Sequence, residues 1–297
     1  SGSDHILIQE DCIKSNDKII INKVFDKNDF IRPKGGDFKV GDCIDAPLKL
    51  NASLISLLAA MNIANVPVFR KPIIALIATG DELVNVGEVP EKDQIISSNN
   101  YGLKTLIETS GGIARLLPIA RDTSQELKTV LNLCNNVDLI VTLGGASVGD
   151  YDLVHSTAID MGMETSFYKV AMRPGKPLMA GKIGKIPIFG LPGNPVSALV
   201  CGMVFLKPAI NVMLGKGKAP LVTQNAILQN DLPQNGPREH YMRAKMRFVN
   251  GTQTVEPFGQ QDSSLLTILS KANALLVRPA NDKAKQKGSS VKVIPLE

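Results

Sequence analysis

The chain has 297 residues, enough for about two domains and a sizeable core. Its 44% hydrophobic and 21% charged residues are those of an ordinary globular protein. A net charge of +5 suits an anionic ligand but is too small to argue for nucleic acid, and 4% aromatics with no Trp argue against a base-stacking surface.

Cys12, Cys43, Cys134 and Cys201 are scattered, with no CxxC pair and no His at metal-ligand spacing. Neither zinc nor a disulfide framework is expected, and a reduced, cytoplasmic setting follows. No 18-residue apolar run and no signal peptide is read, so no membrane association is expected. The chain has no initiator Met and opens Ser1-Gly2-Ser3 before Ile6-Leu7-Ile8, which reads as a chain whose N-terminal part is missing.

Residues 1–70 read as short strands and turns, punctuated by Gly35-Gly36 and Gly41-Asp42. One helix, 52–61, puts Leu54, Leu57, Leu58 and Met61 on one face, and plain core packing explains that face. From Lys71 strands and helices alternate. Strands are predicted at 73–78, 113–119, 137–143, 165–170, 178–183 and 186–191, and helices at 98–110, 124–133, 153–161 and 196–214. That alternation predicts an α/β domain, 71–216, around a mostly parallel, doubly wound sheet. Past Gly217 the helical signal vanishes. Strands at 226–232, 239–248, 254–257, 274–278 and 290–294 predict a small all-β domain, 217–297, as a barrel or sandwich. Lys283, Lys285 and Lys287 read as a solvated turn.

Five segments could carry chemistry. The run 137–143 stops at Gly144-Gly145-Ala146-Ser147-Val148-Gly149 and then reaches Asp150 and Asp152. Glycines there let backbone N–H groups approach a phosphate, and the carboxylates could hold a metal or position water. The order fits neither GxGxxG nor a P-loop, and a tight strand-to-helix turn would need the same glycines. In the second segment, Lys169, Arg173 and Lys176 fall within eight positions around Arg173-Pro174-Gly175-Lys176-Pro177. They suit a phosphate or oxyanion, or are ordinary surface charge. In the third, Gly190-Leu191-Pro192-Gly193-Asn194-Pro195 ends a strand and starts a helix, with Asn194 as cap and Pro195 at its first position. Its N-terminus could bind an anion, with Ser197 as a further donor, or could simply initiate the helix. The fourth, Ala78-Thr79-Gly80-Asp81-Glu82, and the fifth, Asp122, sit at strand ends, with Asn99 at the start of the helix between them. Asp81 and Asp122 could be caps. Glu82, Asp122, Asp150 and Asp152 together form an acidic group facing the cations, as suits Mg²⁺, which prefers oxygen ligands.

These motifs, in this order and over essentially the whole chain, resemble the molybdopterin molybdenumtransferase (MoeA/gephyrin E-domain) family. The matching segments are Ala78-Thr79-Gly80-Asp81-Glu82-Leu83, the 144–149 turn with Asp152, Pro174-Gly175-Lys176-Pro177 and residues 190–198; Ile31-Arg32-Pro33-Lys34-Gly35-Gly36-Asp37 adds an upstream match. The resemblance implies a homodimer with a molybdopterin-binding-like central domain and a β-barrel tail. It implies a reaction in which adenylylated molybdopterin and molybdate meet, Mg²⁺-dependent pyrophosphate cleavage releases AMP, and molybdenum stays on the dithiolene. Glu82, Asp122, Asp152 and Lys169 match functional positions of the family; Gln261 and Ser263 match a tail segment that approaches the site. Arg173 stands where Lys is common, and Ala146 where Val is usual. The resemblance implies a further N-terminal region ahead of these residues, so 1–70 is expected to be an incomplete β-rich remnant.

The resulting expectation is a molybdenum insertase. Gly144, Gly145, Ser147, Gly149, Asn194, Pro195 and Ser197 would hold the pterin phosphate or pyrophosphate. Glu82, Asp122 and Asp152 would organise Mg²⁺ and water, while Lys169, Arg173 and Lys176 would take molybdate. Other cofactor-synthesis enzymes and recipient molybdoenzymes are the implied partners. Two rivals stay open: a molybdopterin adenylyltransferase sharing the central fold, and a dimeric scaffold of the gephyrin type.

Overall fold

The computed structural model describes residues 6–21, 30–145, 153–218 and 221–296. Contacts divide the chain into Ser1–Pro67 and Val68–Glu297. In the first unit, β1 (Cys12–Ser15) and β2 (Lys18–Ile21) form an antiparallel hairpin with Cys12 opposite Ile21. Helix α1 (Ala52–Ala60) starts where the Asn51 side chain accepts the Leu54 N–H at 2.9 Å. Leu58 is its buried residue, and Leu54, Leu57 and Met61 are half-buried beside it, the face that helical spacing selects.

The second unit begins with β3 (Ile73–Ala78), the two-residue strands β4 (Leu83–Val84) and β5 (Ile95–Ile96), and α2 (Asn99–Thr109). Then come β6 (Ile113–Leu116), α3 (Ser124–Leu131), β7 (Leu139–Leu143), α4 (Leu153–Asp160) and β8 (Met163–Tyr168). Strands β9 (Met172–Arg173), β10 (Met179–Ile183) and β11 (Ile186–Leu191) lead to α5 (Pro195–Cys201) and α6 (Lys207–Met213). The tail holds β12 (Gln224–Leu228), β13 (Glu239–Val249), β14 (Thr252–Pro257), α7 (Leu266–Lys271), β15 (Ala274–Arg278) and β16 (Ser290–Pro295).

The central sheet has the order β6-β3-β7-β11-β10-β8. β6, β3, β7 and β11 pair in parallel; β10 is antiparallel to both β11 and β8. The sheet is therefore mixed. Only Gly184 and Lys185 separate β10 from β11, and a connection that short can only reverse the chain. β3 and β7 are buried almost throughout, as strands covered on both faces are. Their residues alternate between two cores. Ile74, Leu76, Leu139 and Val141 pack with Leu103, Ile107, Val196 and Ile210 on one face. Ala75, Ile77 and Ile140 pack with Leu127, Val130 and Val154 on the other.

Asp138 interrupts the apolar run before β7 for a reason. Its carboxylate accepts the Ile73 N–H at 2.8 Å and the Arg70 guanidinium at 2.6 Å, which fastens the start of β3 to β7. The bond from Arg70 holds its pKa below the usual carboxylate range.

Several predicted elements end early; in the tail, the strand expected over 226–232 is Gln224–Leu228. The strand expected to reach 119 stops at Leu116, shortly before Pro118, which has no N–H to offer. The strand expected to reach 170 stops at Tyr168, because Lys169 adopts φ +70°. The helix expected to run to 133 ends at Leu131; it starts where the Thr123 hydroxyl accepts the Glu126 N–H at 3.2 Å. The helix expected over 196–214 spans Pro195–Met213 and widens to a π turn at Gly202–Leu206. Pro208 lies just beyond; its ring cannot share a regular α turn with the carbonyl four residues back. By length and composition this helix could cross a membrane, contrary to the absence of such a run in the sequence reading. Here it is a core helix: Val196, Ala198, Val200, Cys201, Leu206 and Ile210 are buried against the sheet.

In the tail, β13-β14-β12-β16-β15 close into a five-stranded barrel, since β13 pairs with both β14 and β15. Leu228, Ala244, Val255, Leu276 and Val293 fill it. The β13–β14 hairpin turns on Asn250-Gly251, both at positive φ, as the twist of a two-residue hairpin requires. β9 adds to β13 in parallel, setting Arg173 opposite His240. Helix α7 is a correction to the expectation of no helix past Gly217. At six residues it is too short for periodicity to reveal; Leu269 anchors it in the core.

Candidate functional site

The chain leaves β3 to build β6 on one side and returns to build β7 on the other. The loops after β3 and β7 consequently part company, and a crevice opens at the carboxyl ends of these strands, where open α/β sheets take ligands. A cavity of about 980 Å³ lies there. Glu82, Asp122, Gly144, Gly145, Asn194 and Pro195 line it, together with Thr79, Ser97, Ser98, Asn99, Pro177 and Ser264.

Each wall has a local cause. The end of β3 is tied to β7 by Thr79 N–H donating to Leu143 O at 2.8 Å. Gly80, at φ +149°, leaves room for the Glu82 carboxylate; a Cβ on Gly80 would come within 2.5 Å of it. Gly144 and Gly145 have φ +93° and +64°. A Cβ on Gly144 would lie 2.6 Å from Thr79 O, and one on Gly145 would lie 2.3 Å from the Val154 side chain. Packing alone thus demands both glycines. The Gly144 N–H donates to Leu191 O at 3.2 Å, so this residue shapes the wall while its own donor is committed to the sheet.

The 190–195 turn is held from two sides. Asn99 Nδ2 donates to Gly193 O at 2.7 Å. From the tail, Ser263 O accepts the Val196 N–H at 3.0 Å, and its hydroxyl accepts from Asn194 Nδ2 at 3.1 Å. Asn194 has cap backbone geometry and Pro195 is at the first helical position, but the Asn194 side chain makes no cap bond. Ser263 already satisfies the first free N–H, which releases that amide to reach the tail. Ser197 is buried at 4% exposure and does not line the cavity.

The predicted cations are placed elsewhere. Lys169, Arg173 and Lys176 are not among the described lining residues, although Pro177 is. Lys169 Nζ lies 4.7 Å from the centre of the Tyr168 ring. Gly175, at φ +107°, packs against Cys201, where a Cβ would come within 2.4 Å of the sulfur. Arg173 is exposed at the seam with the barrel, beside the buried His240. Burial, then the charges of Arg173, Arg243, Arg278 and Arg238, push the His240 pKa down to about 4. Arg243 is buried as well. Its backbone N–H and Nε share Gln261 Oε1 at 2.9 and 3.1 Å, and Nη1 donates to Asp262 O at 2.7 Å. Gln261 therefore seats Arg243, while the neighbouring Ser264 faces the cavity.

Ser147, Gly149, Asp150 and Asp152 lie outside the described residues. Among the described residues no group of three or more His, Cys, Asp or Glu side chains forms a metal cage. Thr79, Ser97, Ser98 and Ser264 were not singled out by sequence. Single hydroxyls at strand and helix ends carry no signal until the fold gathers them, though Ser97-Ser98-Asn99-Asn100 is a polar cluster ahead of an apolar helix.

Residues 75–212 match a family model described as a probable molybdopterin binding domain, and residues 225–296 match one described as the MoeA C-terminal region (domain IV). A molybdopterin molybdenumtransferase of Nostoc sp. is 33% identical over 304 residues, covering 100% of this chain and 70% of that protein. Its counterpart from Staphylococcus aureus is 31% identical over 302 residues, covering 100% and 71%. Among solved structures, the molybdopterin biosynthesis MoeA protein from Pyrococcus horikosii superposes with a TM-score of 0.78 at 28% identity, covering 99% of this chain and 72% of that one.

Proposed function

The chain belongs to the molybdopterin molybdenumtransferase family, a family of transferases in molybdenum cofactor biosynthesis, and from that premise we propose that it inserts molybdenum from molybdate into adenylylated molybdopterin and releases AMP. The observation that carries the reading is the cavity at the β3/β7 crevice, which brings Glu82 and Asp122 together with the Gly144-Gly145 turn and Pro195. A crevice with carboxylates on one wall and a close-packed glycine turn on another suits a phosphoanhydride.

Glu82 and Asp122 fit Mg²⁺, which is held by one or two carboxylates and otherwise by waters and substrate phosphates. They would hold it with Asp152; when bound, the ion neutralises charge on the phosphoanhydride oxygens. The chain's own groups would do the rest. The Gly144-Gly145 and Asn194-Pro195 turns would shape the walls against the phosphates, with Ser147 and Gly149 of the glycine segment as further groups. Glu82 and Asp122 would orient the water whose oxygen goes to phosphorus as the bridging P–O bond breaks. Lys169, Arg173 and Lys176 would take molybdate beside the cavity, with Arg173 at the seam opposite the buried His240. We further infer a molybdopterin-binding domain at 71–216 and a barrel domain at 217–297 in a cytoplasmic homodimer that meets other cofactor-synthesis enzymes and recipient molybdoenzymes. The bonds from Ser263 to the 194–196 turn favour insertion over adenylylation by a lone central domain, because they make the tail part of the site.

The test supplies the protein with adenylylated molybdopterin, molybdate and Mg²⁺. AMP release above a no-enzyme blank is expected, and its absence sinks the reading. Asp152→Asn should abolish release without lowering the melting temperature; unchanged release removes Asp152 from the mechanism.

A further inference from the structure

Asp81 and Arg121 lie beside the two cavity carboxylates, line no part of the cavity, and cross-link the loops that carry them. The loop after β3 and the loop after β6 are joined first by backbone. Gly80 N–H donates to Ala120 O at 3.1 Å, and Ala120 N–H to Ala78 O at 2.9 Å. Two side chains then cross. Asp81 Oδ1 accepts the backbone N–H of Asp122 at 2.9 Å. Arg121 Nη1 donates to Asp81 O at 2.9 Å and to Leu83 O at 3.1 Å, gripping the residues on either side of Glu82. Glu82 is thus held through its neighbours by Arg121, and Asp122 through its own amide by Asp81. Each loop supplies one cavity carboxylate and one tie to the other loop. Helix capping does not explain the Asp81 bond: its acceptor reaches across 41 positions to another loop, and α3 takes its side-chain cap from Thr123.

We propose that Asp81 and Arg121 are positioning residues that set the spacing of the Glu82 and Asp122 carboxylates before any ligand arrives. Two like charges in one crevice repel and drift apart unless the backbone beneath them is fixed, and a preset pair needs no rearrangement when a divalent cation binds. This rests on reading Glu82 and Asp122 as the metal-holding pair.

Two measurements on the full chain test it: Mn²⁺ binding to the ligand-free protein by electron paramagnetic resonance, and the Mg²⁺ dependence of AMP release. Asp81→Ala and Arg121→Ala should each weaken Mn²⁺ binding about tenfold, raise the half-saturating Mg²⁺ similarly, and leave kcat at saturating Mg²⁺ within about twofold. Asp81→Asn, which keeps an oxygen acceptor for the Asp122 N–H, should restore both values. Unchanged Mn²⁺ affinity in both alanine variants, or Asp81→Asn failing as badly as Asp81→Ala, overturns the proposal. So does a wild-type protein that binds no Mn²⁺. A wild-type protein that releases no AMP, but whose Mn²⁺ affinity falls with Asp81→Ala and returns with Asp81→Asn, sinks the proposed reaction and leaves the clamp standing.

Discussion

In the β6-β3-β7-β11 half of the central sheet the strands run one way, and the loops leaving β3, β6, β7 and β11 all reach a single cavity. In the β10-β8 half only β10 reverses; the loop from β8 to β10 leaves the same edge of the sheet, from its outermost strand, and carries Arg173 to the barrel seam. Residues far apart in sequence converge in the first half: Glu82, Asp122, Gly144 and Asn194 line one space. In the second, three cations within a span of eight residues, Lys169, Arg173 and Lys176, are not among the described lining residues. β11 stands next to β7, whereas β8 stands two places beyond β11 at the end of the sheet. Proximity in space therefore follows strand order rather than distance along the chain.

The largest test of this contrast compares two glycines at positive φ. Gly145 sits in the parallel half, where a Cβ would lie 2.3 Å from Val154; Gly184 sits in the β10–β11 hairpin with nothing within 4 Å. Gly145→Ala should lower stability by about 2–5 kcal/mol, combining left-handed strain with overpacking. Gly184→Ala should lose only the strain, about 1–2 kcal/mol. Urea denaturation of both variants decides it, and equal losses would break the contrast.

A second test reads the seam. His240 titrates near 4 in the folded protein against an ordinary 6.5. Above 6.5 it is neutral folded or unfolded and adds no pH dependence. Between 6.5 and 4 the unfolded chain takes up a proton that the folded one refuses, so stability falls as pH falls, by up to about 3 kcal/mol. His240→Gln should remove most of that slope in urea midpoints taken from pH 7 to pH 4. A slope unchanged by the substitution would show that His240 is not its source.

The smallest expected effect is that of Arg173→Ala. The side chain is exposed, so stability at pH 7 should stay within about 0.5 kcal/mol. Removing one of the cations that depress His240 should move the imidazole titration, followed by proton NMR, toward its ordinary value. No movement would place Arg173 too far from His240 to matter.

Sequence patterning sufficed where a physical signal is local. The apolar run at 73–78 is β3 residue for residue, and Asn194-Pro195 marks the start of its helix. The six-residue α7 and the two-residue β4, β5 and β9 escaped, since periodicity needs more residues than these elements have. Asn194 shows a subtler limit: its position at the cap was readable, but its side chain follows Ser263, 69 positions away. The site divides in the same way. Carboxylates and glycines at strand ends could be named one by one, because a strand's end is a local event. Their grouping has no local cause and was legible only from motif order and the family resemblance, because it depends on β7 entering the sheet beside β3 and opposite β6.

By itself the sequence determined the alternating elements, the buried strands, the glycine and proline turns and the family resemblance, all of which depend on residues within a few positions of one another. Only the tertiary structure decided that the sheet is mixed, that the tail fastens the turn before α5, that Glu82 and Asp122 share a cavity, and that Arg173 faces the barrel. Those outcomes depend on strand order and on contacts across tens of positions, where the free energy belongs to packing and to crossed hydrogen bonds rather than to local propensity.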